Sequence, residues 1–196
     1  RTAAAVGGLA AFVPDADVFI RSATDPLLAV EFHRHFTHSL VFAPIGAALI
    51  ASLWLWRKNH RVHWLAIYAC ALCAYFSHCL LDAATSYGTL LFWPLTRHRF
   101  GWDFISVIDL FVTLPLAIGL TWTLLLRRRQ PALAVLALAF AYIGLGVVQH
   151  ARASAAQRTL AAARGHTPER AEVMPTMANN LVWRALYAHE GRLYTD

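Results

Sequence analysis

Long apolar stretches alternate with short polar ones along most of the chain. Four of them, near Ser39–Trp56, His63–Leu81, Phe104–Leu126 and Pro131–His150, approach the ~20 residues a helix needs to cross a bilayer. A fifth, Ala3–Val13, is too short to span and predicts the end of a helix that delivers the chain to Pro14. Its alanines and Gly7-Gly8 would let a neighbouring helix approach closely. Beyond His150 the pattern changes. Ala151–Arg164 reads as an Ala/Arg-rich helix leaving the membrane, and Gly165-His166-Thr167-Pro168 breaks it. In Val173–Asp196 polar and aromatic residues alternate around Glu190-Gly191, which predicts strand pairing. The expected fold is an all-α integral membrane protein. It has about four transmembrane helices, a short N-terminal helix and a small extramembrane C-terminal piece. A transmembrane domain over 1–150 is followed by a tail over 151–196.

Composition agrees with a bilayer as solvent. The 196 residues are 58% hydrophobic and only 14% charged, against about 25% charged in soluble domains. The net charge of +6 is concentrated in two linkers, Arg57-Lys58-Asn59-His60-Arg61 and Arg127-Arg128-Arg129. By the positive-inside rule both face the cytoplasm, as does Arg1, with Trp54, Trp56 and Trp64 in the aromatic belt on that side. The loops Pro14–His38 and Asp82–Asp103 then share the opposite face, although they carry Arg21, Arg34, Arg97 and Arg99. Basic and aromatic residues do not interleave along an exposed face, so no nucleic-acid partner is expected. Cys70, Cys73 and Cys79 are odd in number and lie in one apolar run, which predicts packing and no disulfide. The chain opens on Arg-Thr without a signal peptide, and the missing initiator Met and abrupt end predict a fragment.

The polar motifs gather at one membrane face under this topology. Asp15 and Asp17 follow the first apolar run; His33, Arg34 and His38 precede the next; His78 and Asp82 close the one after; Asp103 and Asp109 open the fourth. His78 and Asp82, four residues apart, share one face of a helix. Asp15-x-Asp17 puts two carboxylates on a loop. Thr37 or Ser39 would cap a helix beginning nearby. Asp109 reads as lying two turns inside a span, where an ionisable group is expensive and usually functional. Asp103 reads equally as a helix cap. Singly, each His or Asp has an ordinary interfacial reading; together they point to a divalent metal site, with imidazole and carboxylate ligands suiting Zn²⁺, Mn²⁺ or Fe. His60, His63, His98, His150, His166 and His189 have ordinary surface readings. Ser39 and Ser77 are weak nucleophile candidates. Tyr87-Gly88 predicts a turn, and Leu90–Leu95 reads equally as an interfacial or re-entrant segment and as a simple aromatic belt.

The ordered series Pro14-Asp15-x-Asp17, His33-Arg34-x-x-Thr37-His38-Ser39, His78-x-x-Leu81-Asp82-x-x-Thr85-x-Tyr87-Gly88, Trp93-Pro94, Asp103 and Ile108-Asp109 resembles the YdjM/YbcI family over roughly residues 3–126. These are bacterial inner-membrane proteins described as membrane-bound metal-dependent hydrolases and also labelled LexA-binding. The tail around Asn180–Trp183 and Tyr187–Tyr194 is similar to the extramembrane piece of longer members. Family members usually begin with a Thr-His pair in an N-terminal helix, which this sequence lacks, and often have Gly where His35 stands, so no ligand role passes to His35.

The resemblance implies a hydrolase of the bacterial inner membrane. One or two ions, Zn²⁺ foremost, would be held by Asp15, Asp17, His33, His38, His78 and Asp82, and would activate water against an ester or phosphoester. Arg34 would clamp an anionic group, and Asp109 or Asp103 would act as general base or orienter. A site at the bilayer surface suits an amphiphilic, lipid-like substrate. Two non-enzymatic readings compete: an ion- or proton-coupled transporter, and a regulator whose tail docks a soluble partner such as LexA.

Overall fold

The computed structural model describes residues 2–58 and 64–196, so Arg1 and the stretch 59–63 of the first basic linker lie outside the described residues. Two compact units emerge, one built from 1–83 and 87–101, the other from 84–86 and 102–196.

The first unit holds α1 (Thr2–Phe12), a 3₁₀ turn over Pro14–Phe19, α2 (Leu27–Phe32), a second 3₁₀ turn over Phe36–His38, α3 (Ala43–Lys58) and α4 (Trp64–Ala83). Its helices meet through small side chains. Val6 and Ala10 of α1, Ala47 of α3 and Ala71 of α4 are fully buried in one cluster. Close approach of this kind is the usual basis of helix association in lipid, where apolar burial against tails gains nothing. Gly46 lets the Tyr75 ring lie against α3, in space a Cβ would occupy. Tyr75 then donates its hydroxyl to the carbonyl of Thr37 at 2.6 Å. The segment after α4 turns at Gly88 (φ +84) and buries Leu90 and Leu91, and Leu91 accepts the Leu40 N–H at 2.9 Å.

The second unit holds α5 (Leu110–Leu126), α6 (Gln130–Ala163) and strands β1 (Arg170–Pro175), β2 (Trp183–His189) and β3 (Arg192–Thr195). The strands form one antiparallel sheet in the order β1-β2-β3, with the predicted turn at Glu190-Gly191. Its 34 residues make α6 about 50 Å long, well beyond a ~30 Å hydrocarbon core. The Ala/Arg-rich stretch after His150 is therefore the outer half of the same helix. Gln157, buried on that half, donates to the carbonyls of Glu172 (3.0 Å) and Leu186 (2.7 Å), which face each other across β1 and β2.

Among the described residues, three helical stretches are long and apolar enough to cross a membrane: Thr2–Phe19, Trp64–Ala83 and Gln130–Ala163. Leu27–His38 and Ala43–Trp56 pass the same test only as a pair, bent by 77°. Two expectations need correction. The first apolar run does not stop short, because the 3₁₀ turn after Pro14 extends it to 18 residues. The third expected span, Phe104–Leu126, contributes only the 17 residues from Leu110 onward.

The Gln157 amide is the polar tie between helix and sheet. Gln157→Ala leaves two paired carbonyls without their donor and should weaken the docked sheet by about 1–3 kcal/mol. Hydrogen exchange should then accelerate through β1 and β2 while the apolar half of α6 stays protected.

Candidate metal centre

The first unit brings four donor atoms to one point. Asp15 comes from the first 3₁₀ turn, His38 from the second, and His78 and Asp82 from the last two turns of α4. His38 Nε2 lies 3.1 Å from Asp82 Oδ2, 3.2 Å from His78 Nε2 and 3.5 Å from Asp15 Oδ1. His78 Nε2 lies 3.5 Å from Asp15 Oδ1 and 3.6 Å from Asp82 Oδ2. All four donors fall within 4.8 Å of one another.

These separations test the fit of an ion. Ligands ~2.1 Å from a tetrahedral Zn²⁺ stand ~3.4 Å apart. The five distances bracket that value. Two imidazole nitrogens that point at each other beside two carboxylates are also an arrangement that a cation, or protons, must hold together. The group therefore suits a divalent ion in its chemistry as well as its spacing.

Behind it stands Asp17, which is buried. Its Oδ2 accepts the Arg34 N–H at 2.7 Å, and lies 3.4 Å from His38 Nδ1 and 3.6 Å from His33 Nδ1. A carboxylate on the far nitrogen of an imidazole fixes ring orientation and tautomer, the usual arrangement around metal-bound histidine. The Thr37 hydroxyl, 3.2 Å from the same Nδ1, shares that position. Asp17 Oδ1 is buried without a hydrogen-bond partner among the described residues. Of the six residues expected as ligands, Asp15, His38, His78 and Asp82 converge. Asp17 and His33 lie on the other side of the His38 ring, and the His33 side chain is 38% exposed.

Arg34 ties the two halves together. Its φ of +55° is unusual for a residue with a side chain. That turn directs the N–H to Asp17 and the guanidinium to Asp82, with Nε 3.0 Å from Oδ2 and Nη1 3.1 Å from the backbone carbonyl. Its guanidinium carbon also sits 5.3 Å from the centre of the Tyr87 ring, and that ring meets His33 edge-on at 4.8 Å. The expected anion clamp is thus engaged with a candidate ligand.

Other expected residues have local roles. Asp109 does not lie two turns inside a helix. It is the N-cap of α5, accepting the Phe111 N–H at 2.9 Å and the Tyr142 hydroxyl at 3.0 Å. The residues before it are apolar without being helical, which is why the hydropathy pattern places it too deep. Asp103 sits in the second unit at φ +57°; burial raises its carboxyl above the ordinary range, partly offset by a hydrogen bond from Ser86. His35 packs among Phe32, Phe36 and Trp93. Ser39 Oγ donates to the Trp93 carbonyl and accepts the Val41 N–H, and Ser77 donates to the Cys73 carbonyl. Neither hydroxyl is poised as a nucleophile.

Sequence reasoning passed over Arg99. Its guanidinium binds the carbonyls of Glu31 (2.8 Å), His33 (3.0 Å) and Gly88 (3.3 Å), clasping the His33–Arg34 bend. Its only trace in the sequence is a cation on the side where cations are disfavoured.

A model of the YdjM inner membrane protein family matches residues 1–153, a stretch that contains all of these residues. The chain belongs to the YdjM family. No curated protein and no solved structure matches it. In this YdjM member the match ends inside α6, and the sheet lies outside the matched residues.

Asp17→Ala removes the acceptor of the buried Arg34 N–H as well as the partner of both imidazoles. It should cost at least about 1–3 kcal/mol, the penalty of one unsatisfied buried donor. Chemical denaturation in detergent beside the unaltered protein measures it.

Proposed function

We propose that this protein is a membrane-bound metal-dependent hydrolase acting on an ester or phosphoester of an amphiphilic, lipid-like substrate. The observation that carries the reading is the convergence of His38, His78, Asp82 and Asp15 at ligand–ligand spacing, with Asp17 behind His38.

Four protein donors around a tetrahedral ion would close it, whereas a catalytic ion keeps a position open. The donors here are unequal. His38 is fully buried, and His78 and Asp82 are each 17% exposed, but Asp15 is 50% exposed on a short turn. His38, His78 and Asp82 would be the permanent ligands and Asp15 the displaceable fourth. Zn²⁺ fits first, with Mn²⁺ or Fe²⁺ as alternatives. When bound, such an ion supplies Lewis acidity and a nucleophile at neutral pH. Asp17 holds the His38 ring so that Nε2 faces the centre. Arg34 compensates the Asp82 charge and fixes Oδ2. Phe12, Val18 and Phe19, exposed on either side of Asp15 and Asp17 in sequence, supply apolar surface for a substrate tail.

Sidedness follows from charge. The basic linkers adjoin the ends of their helices, while His78 and Asp82 occupy the opposite end of α4 from the first linker. With the linkers cytoplasmic, the centre faces the other side of the inner membrane. Its position near a helix end also favours an enzyme over a transporter, whose sites usually lie near the midplane.

The test is metal content by elemental mass spectrometry, with turnover of lipid phosphoesters in mixed micelles. His78→Ala and Asp82→Ala should lose the ion and all turnover. Asp15→Ala should keep an ion, and Asp17→Asn should bind it about 10–100-fold more weakly. An ion retained in His78→Ala would refute the ligand assignment. An unaltered protein free of metal, or loaded but inert toward every ester class, would return the reading to a transporter or regulator.

A further inference from the structure

The loop from β1 to β2, Thr176–Val182, reads Thr-Met-Ala-Asn-Asn-Leu-Val and carries no charge. Many of its polar groups are paired, some within the loop and some to the segment before α5, although the buried Asn180 Oδ1 has no hydrogen-bond partner among the described residues. Asn179 Oδ1 accepts the N–H groups of Leu181 and Val182, each at 2.9 Å, and its amide donates to Thr176 Oγ1 and the Met177 carbonyl. The Thr176 N–H and hydroxyl both reach the Val182 carbonyl. Ala178, at φ +69°, donates its N–H to the Ile108 carbonyl at 2.9 Å and to Ser106 Oγ at 3.1 Å. The Asn180 amide donates to the Phe104 carbonyl at 3.2 Å. The outward surface left over is apolar: Met177 is 77% exposed, Leu181 69% and Val182 59%.

Pairing of this extent lowers the cost of holding the loop against lipid, where each unpaired backbone group costs several kcal/mol. The place of attachment points the same way. Ala178 is bound to the segment just before α5, where Val107, Ile108, Leu110 and Phe111 are also exposed. At 17 residues α5 falls short of the ~20 that span a bilayer.

We infer that the β1–β2 loop is embedded in the bilayer interface, with Met177, Leu181 and Val182 against lipid, continuing the apolar belt that α5 alone leaves short. The sheet then stands on the membrane surface by its own loop as well as by α6. This inference is independent of the metal centre; the loop itself lies outside the family match, and the segment it is bound to lies inside it.

The test uses the full chain with Cys70→Ser and Cys73→Ser, the two accessible thiols, leaving buried Cys79. Met177→Cys or Leu181→Cys carries an environment-sensitive fluorophore in phosphatidylethanolamine/phosphatidylglycerol vesicles. Glu190→Cys, at the β2–β3 turn, is the control. Labels at 177 and 181 should shift to the blue and be quenched several-fold more by shallow nitroxide lipids than the label at 190, with less quenching by aqueous iodide. Iodide quenching equal to that at 190 would overturn the inference. So would protection from both quenchers that varies with protein-to-lipid ratio, which would mark contact with a second copy.

Discussion

The first unit depends on the buried Asp17 carboxylate. One oxygen gathers the Arg34 N–H and faces two imidazoles, so three residues of the stretch 33–38 are committed to it. A carboxylate out of water is tolerable only with such partners. Its consequences run outward in order. Binding the Arg34 N–H stabilises a left-handed backbone; that conformation turns the guanidinium to Asp82; Asp82 then stands beside His38 and His78. The candidate centre is the far end of this chain of charges, and Arg99 closes it by holding the same bend from the carbonyl side.

A second bend, between His38 and Ala43, answers a problem posed by lipid. The stretch Leu27–Trp56 is long and apolar enough to cross a membrane only as a pair of helices with a 77° break. Broken backbone at membrane depth must be satisfied by protein. Here Leu91 takes the Leu40 N–H, Trp93 takes the Ser39 hydroxyl, and Tyr75 serves the Thr37 carbonyl. The break that exposes polar backbone is thus also the feature that delivers His38 into the interior, and one set of bonds serves both purposes.

Much of this was legible in the residues. The i, i+4 pair His78 and Asp82 needed only helical periodicity. The grouping of Asp15 and His38 with them came from charge-derived topology, and the hairpin of β2 and β3 from a Glu-Gly turn between alternating residues. The features that escaped depend on backbone direction. Asp17 and Asp15 look alike in a two-residue motif, and only the 3₁₀ turn sends one inward to His38 and leaves the other half exposed. Arg34 reads as an anion clamp until its positive φ is known. Asp109 reads as intramembrane because hydropathy does not distinguish an apolar helix from an apolar irregular segment; the residues before it are irregular, and the Asp caps α5. The length of α6 was hidden by a change of composition that leaves its backbone unbroken.

That continuity has a mechanical side. From Gln130 to Ala163 α6 contains no Pro beyond its first turn and no break, and the Gln157 amide fastens its outer half to both strands. The sheet is therefore tied back to the helix across the six intervening residues, 164–169. A tilt of the helix in the bilayer would carry the sheet with it, against the hold of its own interfacial loop.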